Sequence, residues 1–244
     1  MGRAHEVRAA SMAKTAAAKS KLNAKFGTLI YVAAKSGIPD PDVNLNLRRA
    51  IDKAKREQVS ADVIKRAIEK AKGGSAESYE SVRYEGFGPN NSMFIVECLT
   101  DNTNRTYTDI RTTFSRCGFK LGVDGSVIHM FDNKAVFSYE GLNDEETLEV
   151  LINADCDVDD IAYEEGLTTV FAPSTEYAKI RDALSAAMPN VNFLEDHITW
   201  IPQVKAIFTE GKDIEHLERF TNMLDEIDDV QDYYHNVELP ESEE

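Results

Sequence analysis

The stretch that decides the fold covers residues 135–195 and reads AVFSYEGLNDEETLEVLINADCDVDDIAYEEGLTTVFAPSTEYAKIRDALSAAMPNVNFLE. Runs with the pattern of strands alternate in it with two runs of helical period. The order is strand, helix, strand, strand, helix, strand, with predicted limits 135–139, 144–153, 157–163, 167–172, 175–187 and 191–194. This βαββαβ order is typical of a ferredoxin-like domain, in which two helices cover one face of a four-stranded sheet.

The residues on either side of this stretch contain a second, incomplete α/β unit. Before it, the pattern predicts strands at 81–85, 92–99 and 126–131 and a helix at 103–117. After it come a predicted helix at 213–227 and a strand at 230–237. Because the first part lacks one helix and one strand, we expect the tail to return and complete it. The predicted class is α+β, with two ferredoxin-like α/β domains, one inserted into the other: residues 75–134 with 206–244, and residues 135–205.

Residues 1–74 are predicted to form a basic three-helix bundle. The first helix starts near Leu22 and ends at Gly37, where a positive φ is available. Asp40-Pro41 is the candidate start of a second helix that reaches about Gln58. Ser60 is the candidate cap of a third, which Gly73-Gly74 ends. The Ala-rich tract 1–21 has few large apolar side chains, so we expect it to be mobile and to order on a nucleic acid.

Charge is distributed very unevenly along the chain. Residues 1–74 carry 16 Lys or Arg against 7 Asp or Glu, whereas residues 75–244 carry 11 against 36, for a formal net charge of −16. Solubility alone requires no such segregation, which indicates a basic module for a polyanion on an acidic body. Nucleic acid, DNA or ribosomal RNA, is therefore the expected partner.

The composition also excludes several classes of protein. With 42% hydrophobic residues and no run of about 20 apolar residues, the sequence predicts a globular protein without a membrane partner. The three cysteines are far apart and form no disulfide or zinc pattern, which favours the reducing cytoplasm.

The second predicted helix has an apolar side and a basic side. Arg49, Lys53 and Arg56 recur at helical spacing opposite Leu47 and Ile51. We call these three cations the basic stripe and expect them to face solvent, where they would neutralise phosphates. An ordinary solvated helix face is the alternative. The candidate nucleic-acid contacts are Lys19, Lys21, Lys25, Arg48, Arg49, Lys53, Arg56, Lys65, Arg66, Arg105 and Arg111.

Arg105 and Arg111 in this set belong to the helix predicted at 103–117. Residues 100–106 combine N-cap types with Arg105 just inside the helix, and helix N-termini bind anions. The equally simple interpretation is a plain cap, with the arginines solvated or paired to nearby acids. The sequence leaves both open.

Motifs for catalysis or metal binding are lacking. The acidic run at 155–160 has Asp160 where a calcium loop needs glycine and Gly166 where it needs glutamate, so a half-exposed strand is predicted there. The glycine-rich run at 121–126 has no Lys-Ser ending and is predicted as a turn. The five histidines show no ligand spacing, and no nucleophile motif is present. We expect no cofactor, no metal, no small-molecule substrate and no enzyme activity.

Six short runs, spread over most of the chain, are specific enough to compare with known families. They are Ala50-Ile51-Asp52-Lys53-Ala54-Lys55, Ala67-Ile68-Glu69-Lys70-Ala71-Lys72-Gly73, Arg83-Tyr84-Glu85-Gly86-Phe87-Gly88-Pro89, Thr100-Asp101-Asn102 with Asn104-Arg105-Thr106, Gly125-Ser126-Val127 with Met130-Phe131, and Asp228-Asp229-Val230-Gln231. Together these runs resemble the YebC family, whose members are labelled probable transcriptional regulators and include a mitochondrial translational activator. The start, Gly2-Arg3-Ala4-His5-Glu6-Val7, departs from the usual opening of the family and is closer to its YeeN-type branch.

The resemblance implies a helical amino-terminal domain and two α/β domains, one inserted in the other, and no enzyme activity or cofactor. It leaves three functions open: a ribosome-associated translation factor, a sequence-specific DNA-binding regulator, and an unrecognised enzyme or interaction scaffold. The exposed residues predicted on the second and third helices are mainly Lys, Arg, Asp and Glu rather than base-reading Asn and Gln. We therefore favour structured RNA and the ribosome.

Overall fold

The computed structural model describes residues 3–73, 78–209 and 211–239, with side chains from residue 19 onward. These residues build a helical bundle, two four-stranded antiparallel sheets and a two-stranded ribbon. The helices are α1 Arg3–Lys35, α2 Leu45–Arg56, α3 Ala61–Lys72, α4 Thr103–Arg116, α5 Asp144–Asn153, α6 Tyr177–Ala187 and α7 Gly211–Asp225. The strands are β1 Glu80–Phe87, β2 Met93–Thr100, β3 Lys120–Leu121, β4 Phe131–Glu140, β5 Asp160–Glu164, β6 Leu167–Pro173, β7 Phe193–Pro202, β8 Ala206–Ile207, β9 Val230–His235 and β10 Val237–Glu238.

The three amino-terminal helices pack around a core of their own. Phe26, Ile30, Leu47 and Ile51 are among its buried members. Asn44 joins the loop after α1 to the start of α2: its Oδ1 accepts a hydrogen bond from the N–H of Leu47 at 3.0 Å, and its Nδ2 donates to two backbone carbonyls at 2.9 and 3.0 Å. One buried amide therefore fixes both the turn and the cap.

The limits of these helices differ from the predicted ones. The cap of α2 is Asn44 rather than Asp40-Pro41, because Asn44 alone satisfies the N–H of the first turn. Ser60 occupies the cap position of α3 but makes no side-chain hydrogen bond there. Helix α1 begins at Arg3 and so includes most of the tract expected to be mobile, in keeping with the high helix propensity of Ala and Lys. Gly74 lies outside the described residues.

The first sheet has the strand order β3-β1-β2-β9. Strands β1 and β2 form a central hairpin, and β9, from the tail of the chain, pairs with β2. Helices α4 and α7 cover one face of this sheet, where the rings of Phe94, Phe114 and Phe220 meet edge to face. The tail thus adds a strand and a helix to the unit that the sequence left incomplete.

The strand predicted at 126–131 is wrong. Ile128–Met130 is a 3₁₀ turn, and the edge of the sheet is taken by the two-residue strand β3. The cause is Glu85, which is 2% exposed and whose carboxylate accepts hydrogen bonds from the N–H groups of Gly125, Val127 and Ile128. Since these donors bond a side chain, they are not available to a strand ladder.

The second sheet belongs to the inserted domain and has the order β5-β6-β4-β7. With α5 and α6 after its first and third strands, this is the ferredoxin-like arrangement. Helix α5 has the predicted limits, and Asn143 and Glu146 form a capping box at its start. Phe137, Leu151 and Ile180 are fully buried between sheet and helices. The inserted domain therefore has its own core.

The free face of the first sheet packs on the inserted domain near the points where the chain crosses between them. Ile95, Phe131 and Trp200 lie in this contact, and Trp200 Nε1 donates to Glu97 at 3.0 Å. The segment that enters the inserted domain and the segment that leaves it lie side by side, because the N–H of Gln203 donates to the carbonyl of Met130 at 3.0 Å.

Candidate nucleic-acid interface

The basic stripe of α2 contacts the α/β domains. Arg56 donates to a carboxylate oxygen of Asp196 at 3.2 Å and to its backbone carbonyl at 3.1 Å. Lys53 Nζ lies 3.2 Å from Oδ2 of Asp232 on β9, and Lys25 lies 3.9 Å from Oδ1 of the same residue. Burial lowers the pKa of Lys25 below its ordinary value. Carboxylates of both α/β domains thus face cations of the bundle.

Arg49 completes the stripe by a different contact. Its guanidinium carbon lies 4.5 Å from the ring centroid of Tyr177, a cation–π contact. The Tyr177 hydroxyl donates to Asp196, and burial raises its pKa. Arg181 bridges the two sides, with Nε 3.1 Å from Asp196 and Nη2 3.0 Å from Asp52 of α2. Asp196, 3% exposed, is therefore the centre of a cross-domain polar cluster.

The expectation that Arg49, Lys53 and Arg56 face solvent is therefore met only in part. Lys53 and Arg56 are 39% exposed while they pair with acids of the α/β domains, and Arg49 contacts the ring of Tyr177. The helical period correctly separates the polar side of α2 from its apolar side. It cannot show whether the polar side meets water or the surface of another domain. We call these three residues together with Lys25 the docked face of the bundle.

The remaining basic candidates of the bundle are exposed. Arg66 pairs with Asp62 and Lys65 lies 4.0 Å from Glu69, both one turn apart on α3, while Arg48 donates to two backbone carbonyls of the loop before α2. Such exposed pairs are weak and leave most of the cation available to a ligand. We call these five residues the outward face; each is exposed and has no ion pair to the α/β domains in the described part of the chain, and Lys21 lines a cleft that also contains Lys25 and Asp225. They are Lys19, Lys21, Arg48, Lys65 and Arg66.

Arg105 is held by acids at the start of α4. Asn102 caps the helix by accepting from the N–H of Arg105 at 3.1 Å. The guanidinium donates to both carboxylate oxygens of Asp229, at 2.9 and 2.8 Å, and to Asp101 at 2.9 Å, and these hydrogen bonds raise its pKa. A cleft of about 720 Å³ beside it is lined by five carboxylates and two guanidiniums. These contacts favour the plain, acid-paired cap over an anion site.

Arg111, two turns further along α4 from the cap, lies in different surroundings. It is exposed and borders a groove of about 570 Å³ with Tyr107, Phe87 and Lys120. Sequence reasoning missed the last three. Tyr107 and Arg111 share a helix face by their i, i+4 spacing, which was a usable signal, whereas Lys120 joins them only through the pairing of β3 with β1.

Two of the three cysteines, Cys98 and Cys117, are buried. Burial raises the pKa of Cys98 to about 12 and raises that of Cys117, so both thiols stay protonated at neutral pH. Over the described ranges, no three or more His, Cys, Asp or Glu side chains are grouped to hold a metal ion. None of the helices in those ranges is both long enough and apolar enough to cross a bilayer.

Comparison with known proteins gives matches over nearly the whole chain. The model of the TACO1/YebC N-terminal domain matches residues 3–74, and that of the TACO1/YebC second and third domain matches residues 79–237. Among solved structures, a conserved hypothetical protein from Aquifex aeolicus superposes with a TM-score of 0.74 at 31% identity, covering 91% of both chains. The arrangement of a helical domain and two α/β domains is therefore shared.

Curated relatives extend this match at higher identity. A protein of Alteromonas mediterranea is 52% identical over 240 residues, which are 98% of this chain and 100% of the relative. One of Pseudoalteromonas translucida is 54% identical over 236 residues, 97% and 98% of the two chains. One of Vibrio cholerae is 51% identical over 239 residues, 98% and 100%. All three are named probable transcriptional regulatory proteins, and this chain belongs to the TACO1/YebC family.

Proposed function

We propose that the protein is a nucleic-acid-binding regulator of gene expression that binds ribosomal RNA through the outward face of its helical domain. The observation that carries the proposal is this face itself: four of the nine candidate cations of the bundle contact the α/β domains, and the other five are exposed. Cations in this situation bind phosphates by releasing condensed counterions, which gives affinity without sequence readout.

The contrast with the rest of the molecule supports a single binding side. Asp196 and Asp232 neutralise the docked face, and the α/β domains carry most of the 43 acidic residues of the chain. Their negative field repels a polyanion and orients it towards the outward face. We propose residues 1–74 as this binding domain, residues 75–134 with 206–244 as the discontinuous domain, residues 135–205 as the insert, and the cytoplasm as the location.

Structured RNA suits this face better than a DNA operator. The exposed side chains of α2 and α3 are mainly charged, whereas readout of base edges uses Asn, Gln and Arg placed in the major groove. Folded RNA is recognised chiefly by shape and by phosphate and sugar contacts. A ribosome-associated translation factor is therefore the function we favour.

Sequence-specific DNA binding in transcription is the second candidate. What favours it is the shared name of the relatives, probable transcriptional regulatory protein. It predicts a footprint on a defined promoter at near-physiological salt.

The test is sedimentation of the full chain with ribosomes, with and without nuclease. We expect co-sedimentation that nuclease treatment abolishes. The double variant Lys65→Glu and Arg66→Glu should lower the affinity about tenfold at near-physiological salt, because two phosphate contacts become repulsive. The matched control is Glu69→Gln on the same helix, which removes a negative charge and should leave binding equal or tighter.

The opposite result is a promoter footprint without co-sedimentation, which would establish the transcriptional candidate instead. Equal affinity of the wild type and the double variant for ribosomes would move the contact away from the outward face.

A further inference from the structure

The groove beside Arg111 is distinct from the helical domain. Its walls are the exposed side of α4, the edge of the first sheet and the loop at residues 121–126. Phe87 and Lys120 lie opposite each other on β1 and β3, so their side chains share one face of the sheet. Tyr107 and Arg111 are neighbours on α4. A volume of about 570 Å³ is within the ordinary range for a small-ligand site.

The loop that forms one wall is fixed from beneath. The carboxylate of Glu85 holds its far end through three backbone N–H groups, and the N–H of Gly122 donates to the Glu85 carbonyl at 2.8 Å. Gly122 has no room for a side chain: a Cβ there would come within 2.5 Å of Ser126 Oγ and 3.1 Å of the Phe87 ring. The groove is thus preformed.

The groove differs in charge from the domain that contains it. Among its eight lining residues there are two cations, Arg111 and Lys120, and no acid. Residues 75–244 as a whole carry 36 Asp or Glu against 11 Lys or Arg. Two unopposed cations in such a region form a local site for an anion, and neither has an ion pair with any described residue.

The aromatic rings add a second requirement for the ligand. Tyr107 is 46% exposed and Phe87 is 36% exposed, so each presents ring surface to solvent in the groove. A phosphate group by itself binds through charge and hydrogen bonds and gains nothing from an aromatic ring face. A nucleotide combines both features, because a base stacks on an aromatic ring while its phosphates bind cations.

We propose that this groove binds an unpaired nucleotide of a folded RNA, with the base against Tyr107 and the flanking phosphates on Arg111 and Lys120. The inference rests on the proposed function, since the helical domain supplies most of the affinity for the same RNA. Bases within a duplex are stacked on each other and cannot reach the ring. The groove therefore distinguishes RNA loops from RNA helices.

The experiment compares the full chain with two variants on two RNA probes. The probes are a hairpin with an unpaired loop of about 8 nucleotides carrying one 2-aminopurine, and a fully paired duplex of equal length. Tyr107→Ala should weaken hairpin binding about tenfold, since one stacked base contributes about 1–3 kcal/mol, and leave duplex binding unchanged. Tyr107→Phe, the matched control, keeps the ring and should bind both probes like the wild type.

The 2-aminopurine signal separates stacking from a general effect of the substitution. Stacking quenches its fluorescence, so we expect quenching with the wild type and with Tyr107→Phe but not with saturating Tyr107→Ala. Circular dichroism and thermal unfolding of each variant show that it is folded. Replacing Arg111 and Lys120 by Gln should flatten the salt dependence of hairpin binding by about 1.4 units, the value for two contacts on a single strand.

The outcomes distinguish the inference from the function on which it rests. If the wild type binds hairpin and duplex, Lys65→Glu with Arg66→Glu weakens both, and Tyr107→Ala changes neither affinity nor quenching, the groove proposal is wrong and the proposed function stands. If the wild type binds neither RNA probe nor ribosomes, both are wrong.

Discussion

The docked and outward faces of the helical bundle have similar charge and opposite surroundings. Arg56 on the docked face meets Asp196, which is almost fully buried, whereas Arg66 on the outward face meets only Asp62, an exposed acid on its own helix. A count of charges along the chain treats these cations alike. The comparison shows that, among the described residues of the bundle, some cations are paired with acids of the α/β domains and others are not.

The largest expected effect comes from removing the carboxylate of Asp196, to which Arg56 of the docked face binds. Asp196→Ala takes one acceptor from Arg56, Arg181 and the Tyr177 hydroxyl at once. Since these donors lose a buried counter-charge, we expect the free energy of unfolding to fall by about 3 kcal/mol, measured by urea titration. Asp52→Asn, which affects Arg181 alone, is the control and should cost less. A loss under about 1 kcal/mol would mean that the cluster is not what holds the domains.

Matched charge reversals on the two faces distinguish their contributions to the free energy of unfolding. Lys53→Glu with Arg56→Glu should lower the free energy of unfolding by about 1–2 kcal/mol, a value kept small because both side chains are 39% exposed. Lys65→Glu with Arg66→Glu should change it by less than about 0.5 kcal/mol, because only exposed pairs within α3 are affected. Urea unfolding measures both. Equal losses in the two variants would contradict the distinction between the faces.

The smallest expected effect is a pH dependence of the free energy of unfolding, caused by His235 on the edge strand β9 of the first sheet. Burial lowers the pKa of His235. As the pH falls, the imidazole of the unfolded chain therefore takes up a proton at a pH at which His235 of the folded protein is still neutral. Its contribution to stability is therefore present above about pH 6.5 and is lost as the pH falls towards the lowered folded value. We expect His235→Asn to reduce the loss of unfolding free energy between pH 7.5 and 5.5. An unchanged pH dependence would assign it to other groups.

The sequence predicted local structure best where local chemistry alone determines it. Helix α5 has its predicted limits because Asn143 and Glu146 satisfy its first turn without help from elsewhere. The strand predicted at 126–131 failed because its N–H groups bond to Glu85, about 40 residues away. No pattern within a window of ten residues contains that information.

The candidate interface was predictable to a similar degree. The basic bundle and its list of cations follow from composition and helical period. Their division into two faces does not, since Asp196 and Asp232 are about 140 to 180 residues from their partners on α2. The groove was missed for the same reason, because β3 is only two residues long and brings Lys120 to Phe87 by pairing alone.

The carboxylate of Glu85 also has a mechanical consequence. The loop that it holds leads within a few residues to Met130, where the chain enters the inserted domain, and the returning strand is tied to that residue by the N–H of Gln203. A displacement of the inserted domain would therefore act on this pair of connections, which lie within a few residues of the hydrogen bonds of Glu85. The position of the groove wall is therefore coupled, through Glu85 and Met130, to the position of the inserted domain.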